Sequence, residues 1–132
     1  MVRFAIPVAL TLVLACAANA ALPQRGGDRS DEARIAKRLA GMTPGAPQNC
    51  LVRERFSEME GHSGTILFVG GAKKIWRSDL RGACPGLSRG DLPVITSISG
   101  RMCSGDRVQT RERIGGMLTG SCVLGNFVPY SK

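Results

Sequence analysis

Four cysteines, Cys50, Cys84, Cys103 and Cys122, constrain this 132-residue chain more than any other feature. A fifth, Cys16, stands in a segment of a different kind. Residues 1–20, MVRFAIPVALTLVLACAANA, carry one early cation, Arg3, then an apolar run from Phe4 to Ala15 and a small-residue Ala18-Asn19-Ala20. That pattern is a secretory signal peptide cleaved after Ala20. The alternative is a lipobox, Val13-Leu14-Ala15-Cys16, in which Cys16 is lipidated and anchors the protein. Leu14 is untypical at its place in such a box. The run is shorter than the roughly 20 apolar residues of a membrane-crossing helix, and no later stretch approaches that length. No transmembrane span is therefore expected in the mature chain. On either reading the four later cysteines enter an oxidising compartment, where an even number reads as two disulfides.

Metal binding is a poor alternative. No two of the four cysteines stand within four residues of each other, and His62 is the only histidine. No Cys-x-x-Cys redox pair is present either. Neither metal nor cofactor is expected. Four cysteines allow three pairings. Cys50–Cys84 with Cys103–Cys122 is favoured here, because each would close a local sheet unit. Cys84-Pro85-Gly86 would then be a turn pinned to the first strand.

Residues 21–48 read as a flexible lead-in with a short helix at about 31–40. Ser30 is its expected cap, Asp31 and Glu32 its first turn, Lys37 and Arg38 its last, and Gly41 its stop. Ile35 and Leu39 give it a thin apolar stripe. From residue 49 to 131 short apolar runs alternate with glycines. Strands are expected at Cys50–Phe56, Thr65–Val69, Lys73–Arg77, Val94–Ser99, Asp106–Thr110 and Ser121–Val128. Gly70-Gly71 is expected to turn a hairpin. The fold class is mainly β: a small antiparallel barrel or sandwich stapled by two disulfides, preceded by the signal peptide and helix. A sheet region of this size is marginal alone, so the disulfides carry much of its stability.

The order Cys50, Thr65-Ile66-Leu67-Phe68, Trp76-Arg77-Ser78-Asp79-Leu80, Cys84-Pro85-Gly86-Leu87, Cys103-Ser104-Gly105-Asp106 and Cys122-Val123-Leu124-Gly125-Asn126-Phe127 resembles a family of small exported bacterial proteins. That family is classed only as a domain of unknown function. The resemblance covers about residues 48–130. It implies a small β-rich periplasmic or envelope protein, and it implies no activity and no catalytic residue.

The formal net charge is +8. Lys73, Lys74, Arg77 and Arg81 form one basic run, opposed only by Asp79; Arg101, Arg107, Arg111 and Arg113 form another, opposed by Asp106 and Glu112. Such runs are commonly solvated faces. The alternative is an anion-binding surface, whose partners in an exported protein are envelope polymers, lipid head groups or acidic proteins rather than nucleic acid. Trp76 belongs either to the core or to an open face beside Lys74, where it would serve as a stacking platform. Alternation sends Lys73 and Arg77 to one side and Lys74 to the other, so the patch is split unless its strand lies at an edge.

Catalytic patterns are weak. Ser63 follows His62 in what reads as a loop, and adjacent side chains rarely align as a relay. Glu54, Glu58 and Glu60 read as an exposed edge rather than a hydrolytic carboxylate pair. Gly70-Gly71-Ala72-Lys73-Lys74 lacks phosphate-loop spacing. The expectation is a non-enzymatic exported protein that binds anionic envelope components through Lys73, Lys74, Trp76, Arg77 and Arg81. The alternative is an inhibitor or accessory subunit docking on another exported protein.

Overall fold

The computed structural model describes residues 26–132. The leader, the lipobox and the cleavage site after Ala20 lie outside the described residues. Helix α1 (Gly26–Arg38) precedes β1 (Thr43–Pro44), β2 (Cys50–Val52), β3 (Glu58–His62), β4 (Thr65–Val69) and β5 (Lys74–Asp79). There follow β6 (Arg81–Ala83), β7 (Leu92–Thr96), β8 (Arg101–Cys103), β9 (Arg107–Arg111), β10 (Leu118–Val123) and β11 (Phe127–Ser131). Two short 3₁₀ turns, Arg53–Arg55 and Pro85–Arg89, interrupt them.

Every residue of β4 is buried, a state that a strand reaches only when both its faces are covered. β4 lies inside a five-stranded antiparallel sheet of order β1-β11-β5-β4-β3. On one face Ile66, Phe68, Trp76 and Phe127 meet Val108 and Cys122 of a second sheet, order β6-β10-β9-β7. Phe68 packs edge-on against Phe56 and Phe127, with ring centroids 5.0 and 5.4 Å away. On the other face Leu67 and Ile75 are covered by Ile35 and Leu39 of α1. The layers are therefore helix, sheet and sheet. The two sheets face each other as a sandwich and do not close into a barrel. A two-stranded pair, β2 with β8, completes the strand set.

The disulfides are Cys50–Cys103 and Cys84–Cys122, which corrects the favoured pairing. Each follows from a pairing between strands distant in sequence. β2 lies antiparallel to β8 with Cys50 opposite Cys103, and their Cα atoms are 4.0 Å apart. β6 lies against β10 with Ala83 opposite Ser121, which brings Cys84 beside Cys122. The reasoning from local sheet units failed because neither cysteine pair closes a local unit. Cys84-Pro85-Gly86 opens a 3₁₀ turn rather than being pinned to the first strand. The separations of 53 and 38 residues give about 4 kcal/mol per bridge on the chain-entropy account.

Other expectations shift at their edges. α1 starts before Ser30, so Ser30 is inside the helix and not its cap; Gly41, at φ 72°, stops the chain's helical course as expected. The strand expected at Cys50–Phe56 ends at Val52, and Ser121–Val128 is divided between β10 and β11. Thr65–Val69 stands as expected, and its hairpin partner, expected at Lys73–Arg77, runs Lys74–Asp79, with Gly71 at φ 111° in the turn. Gly70 has a separate task. A Cβ there would lie 2.6 Å from both the Arg55 carbonyl oxygen and the Trp76 ring. Glycine thus lets the Arg53–Arg55 turn close down on the hairpin.

Candidate functional site

The five cations and aromatics expected to form one basic face are not brought together. β5 is an inner strand, between β11 and β4, so its two faces are not reached from one side. Trp76 is 4% exposed in the sandwich core and offers no open ring to a ligand. Lys74 is half-buried, with Nζ donating to Ser131 Oγ at 2.8 Å and standing 5.6 Å from the Trp76 ring centroid. Arg77 faces α1. Its guanidinium donates to Asp79 Oδ1 at 2.8 Å and to Glu32 at 3.1 and 3.4 Å. Burial works to lower its pKa, but the bonds to Asp79 and Glu32 hold it above the ordinary value. Arg81 lies on the other sheet and donates to the Leu124 carbonyl at 3.2 Å. Lys73 is exposed beside the hairpin turn.

A different cluster forms where β2 meets β8. Their register sets Val52 opposite Arg101, and the Cys50–Cys103 bond fastens the pair. The chain then leaves β2 as the 3₁₀ turn Arg53–Arg55, so two more arginines stand next to Arg101. A hollow of about 270 Å³ lies elsewhere under α1; here two adjoining hollows share Arg101. One, about 310 Å³, has Arg53 and Arg101 over Phe56, Met59, Ile95 and Met102. The other, about 200 Å³, is lined by Gln48, Cys50, Val52, Arg55 and Arg101. No carboxylate lines either. Arg53 is oriented by its bond to the Phe56 carbonyl at 3.2 Å and by the Phe56 ring, 4.6 Å from its guanidinium carbon. Both Arg55 and Arg101 are exposed.

Arg101 belonged to the second basic run, but that run also disperses. Arg111 donates to the Gly116 carbonyl and to Gln109, and Arg113 to the Gly90 carbonyl. Arg107 lines a separate hollow on the outward side of the β7 end, with Thr96 and Ile98. Arg53 and Arg55 were missed because they read as part of a strand. Their signal is positional: a basic pair directly after Cys50-Leu51-Val52 becomes a site only once Cys50 is paired with Cys103.

The hollow under α1 has the opposite character. Asp31, 2% exposed, accepts the Ser63 N–H at 2.8 Å on Oδ2 and has the Arg34 guanidinium 3.1 Å from Oδ1. His62 Nδ1 is 3.9 Å from the same Oδ1, and both ring nitrogens are buried without a hydrogen-bond partner. Burial alone would raise the Asp31 pKa; the Ser63 hydrogen bonds, then Arg34 and His62, outweigh it and hold the carboxyl below its ordinary value. Asp31, His62 and Ser63 thus gather in space, with the Ser63 hydrogen bonds going to Asp31 and neither His62 ring nitrogen bonded to Ser63. Glu60 pairs with Arg38 at 2.9 Å, while Glu54 and Glu58 are exposed. Compared with protein-family models, with curated proteins and with solved structures, the chain matches none.

Proposed function

We propose that this protein is a non-enzymatic exported module that holds an anionic component of the cell envelope at Arg53, Arg55 and Arg101. One observation carries the reading: three guanidinium groups meet around two adjoining hollows with no carboxylate in the lining. Guanidinium presents a planar fork of donors that matches carboxylate and phosphate oxygens. Exposed ion pairs contribute little singly, about 0–1 kcal/mol each. Affinity therefore rests on three cations held in place beforehand by the disulfide and the β2–β8 pairing. The net charge, +8 for the full sequence and +7 once Arg3 leaves with a cleaved leader, adds long-range attraction for any polyanion. Two disulfides support export, since such bonds persist in oxidising compartments. No helix among the described residues is long and apolar enough to cross a membrane. Either a leader cleaved after Ala20 or a lipid on Cys16 delivers the domain to the envelope.

Heparin, a soluble polyanion, is the probe. Arg55→Ala/Arg101→Ala is expected to elute at clearly lower salt than the wild type, whereas Lys73→Glu/Lys74→Glu retains the larger part of its binding. Equal retention of wild type and the arginine variant overturns the assignment.

A second reading, docking on another exported protein, has its own support. The outer face of the four-stranded sheet is uncovered, and Leu92, Val94 and Leu118 are 42%, 42% and 52% exposed on it. Ile114 and Met117 extend the apolar area into the β9–β10 turn. Val94→Asp/Leu118→Asp is expected to abolish recovery of a stoichiometric crosslinked partner if that face is the one used.

A further inference from the structure

Resting on the anion-binding reading, we propose that the larger hollow takes a single-chain anionic amphiphile, its head group on Arg53 and Arg101 and its alkyl chain on Phe56, Met59, Ile95 and Met102. A simple polyanion needs only the cations. It leaves unexplained the apolar floor of Phe56, Met59, Ile95 and Met102 under a cationic rim, with Ser97 the one neutral polar side chain in the lining. Phe56 and Met102 are buried and close the bottom, whereas Met59 and Ile95 are only partly buried and keep apolar surface at the opening. Such surface gains from contact with a chain that leaves water. Two of the four floor residues are methionines, whose unbranched, polarizable side chains adapt to a flexible chain better than branched ones do. The volume, about 310 Å³, lies at the lower end of small-molecule sites and suits one chain rather than a two-chain lipid.

The placing of the charges fits the same ligand. Arg53 is braced by the Phe56 carbonyl and ring at the junction of rim and floor. Arg101 is shared with the adjoining hollow, where Gln48 and Arg55 offer further donors. An anionic head at Arg101 therefore has polar partners on one side and apolar floor on the other. The acid-rich hollow under α1 has neither property.

Calorimetric titration of the purified oxidised protein with dodecyl phosphate, below its micellar concentration, tests this. Inorganic phosphate supplies the head group without the chain, and dodecyl maltoside the chain without the charge. Dodecyl phosphate is expected to bind at least about tenfold more tightly than inorganic phosphate, since even two buried methylenes suffice for that factor, and more tightly than dodecyl maltoside, whose head group brings the arginines no charge. Met59→Ser is expected to weaken dodecyl phosphate about tenfold and to leave heparin retention unchanged. Met59→Leu restores the apolar floor and with it the binding, which separates loss of the site from loss of the fold. Arg101→Ala weakens both dodecyl phosphate and heparin. Equal affinity for dodecyl maltoside and dodecyl phosphate, or an unchanged affinity in Met59→Ser, overturns the amphiphile while heparin retention keeps the anion reading. A wild type that heparin does not retain overturns the anion reading itself.

Discussion

The hollow under α1 and the hollows beside the Cys50–Cys103 bond are both built around arginine, yet only one pair of hollows leaves its arginines uncommitted. Arg77 stands between Glu32 and Asp79 and is spent on holding the helix to the sheet. Arg55 and Arg101 face solvent over linings without a carboxylate. Sequence-local charge does not separate these cases. Arg77 lies in a dense basic run, while Arg53 and Arg55 flank Glu54 in what reads as a strand. What decides is the partner that long-range pairing delivers: α1 brings acids to Arg77, and β8 brings a further arginine to Arg53 and Arg55.

The largest effects should come from the bonds that set those pairings. Cys84→Ser/Cys122→Ser is expected to cost about 2–5 kcal/mol in urea unfolding, at the upper part of that range because both sulfurs are in the core. Cys50→Ser/Cys103→Ser falls in the same range, but it has a second consequence. It releases β2 from β8 and is expected to lower heparin retention even where the protein remains folded. Non-reducing peptide mapping should link Cys50 to Cys103 and Cys84 to Cys122. If the Cys50–Cys103 variant folds and keeps full retention, the disulfide does not organise the arginines.

Next in size is Gly70→Ala. A Cβ there meets the Arg55 carbonyl and the Trp76 ring at 2.6 Å, so the Arg53–Arg55 turn must move outward. The expected cost is about 1–3 kcal/mol, as for other overpacked sites, with weakened anion binding. Retention unchanged in a destabilised Gly70→Ala protein would separate the turn from the site.

Asp31 tests the other hollow. Its folded pKa lies below the unfolded value, so it contributes stability that is present above the unfolded carboxyl range and is lost as pH falls through the folded pKa. Asp31→Asn is expected to lose about 1–3 kcal/mol near neutral pH, the usual cost of impairing a buried hydrogen-bonded acceptor. It should also flatten the fall in stability below about pH 4. A wild-type acid limb as steep as that of the variant would remove Asp31 as the anchor of α1. Heparin retention, measured at neutral pH, should not change.

The sequence made the most local features legible. Thr65–Val69 and the Gly70-Gly71 hairpin depend on neighbouring residues, as does the helix stop at Gly41. That four cysteines form two bridges was also legible, because it needs only an even number and an oxidising compartment. Their pairing was not, since β2 finds its partner only after five other strands have been traced. β3 was hidden for a different reason: Glu58 and Glu60 read as an exposed edge and His62 as part of a loop, and only pairing with β4 makes them a strand. The arginine cluster depends on the β2–β8 pairing and was hidden with it.

The smallest effect on stability gives the sharpest test of what separates the two regions. Glu32→Gln/Asp79→Asn removes both charges that face Arg77 and retains side-chain oxygens that accept hydrogen bonds. Both carboxylates are largely exposed, Glu32 at 60% and Asp79 at 65%, so each lost ion pair is expected to cost no more than about 1 kcal/mol. The hollow under α1 would then hold a guanidinium without a facing negative charge, apart from Asp31 deeper in. If commitment of the cation is what distinguishes the regions, this variant should bind heparin more tightly than the wild type. The gain should persist in the Arg55→Ala/Arg101→Ala background, because it arises at a separate place. It should fade at 1 M salt, where the Debye length is about 3 Å. A gain that vanishes once Arg55 and Arg101 are removed would instead mean that net charge alone, rather than a freed Arg77, attracts the polyanion to the one site beside the disulfide.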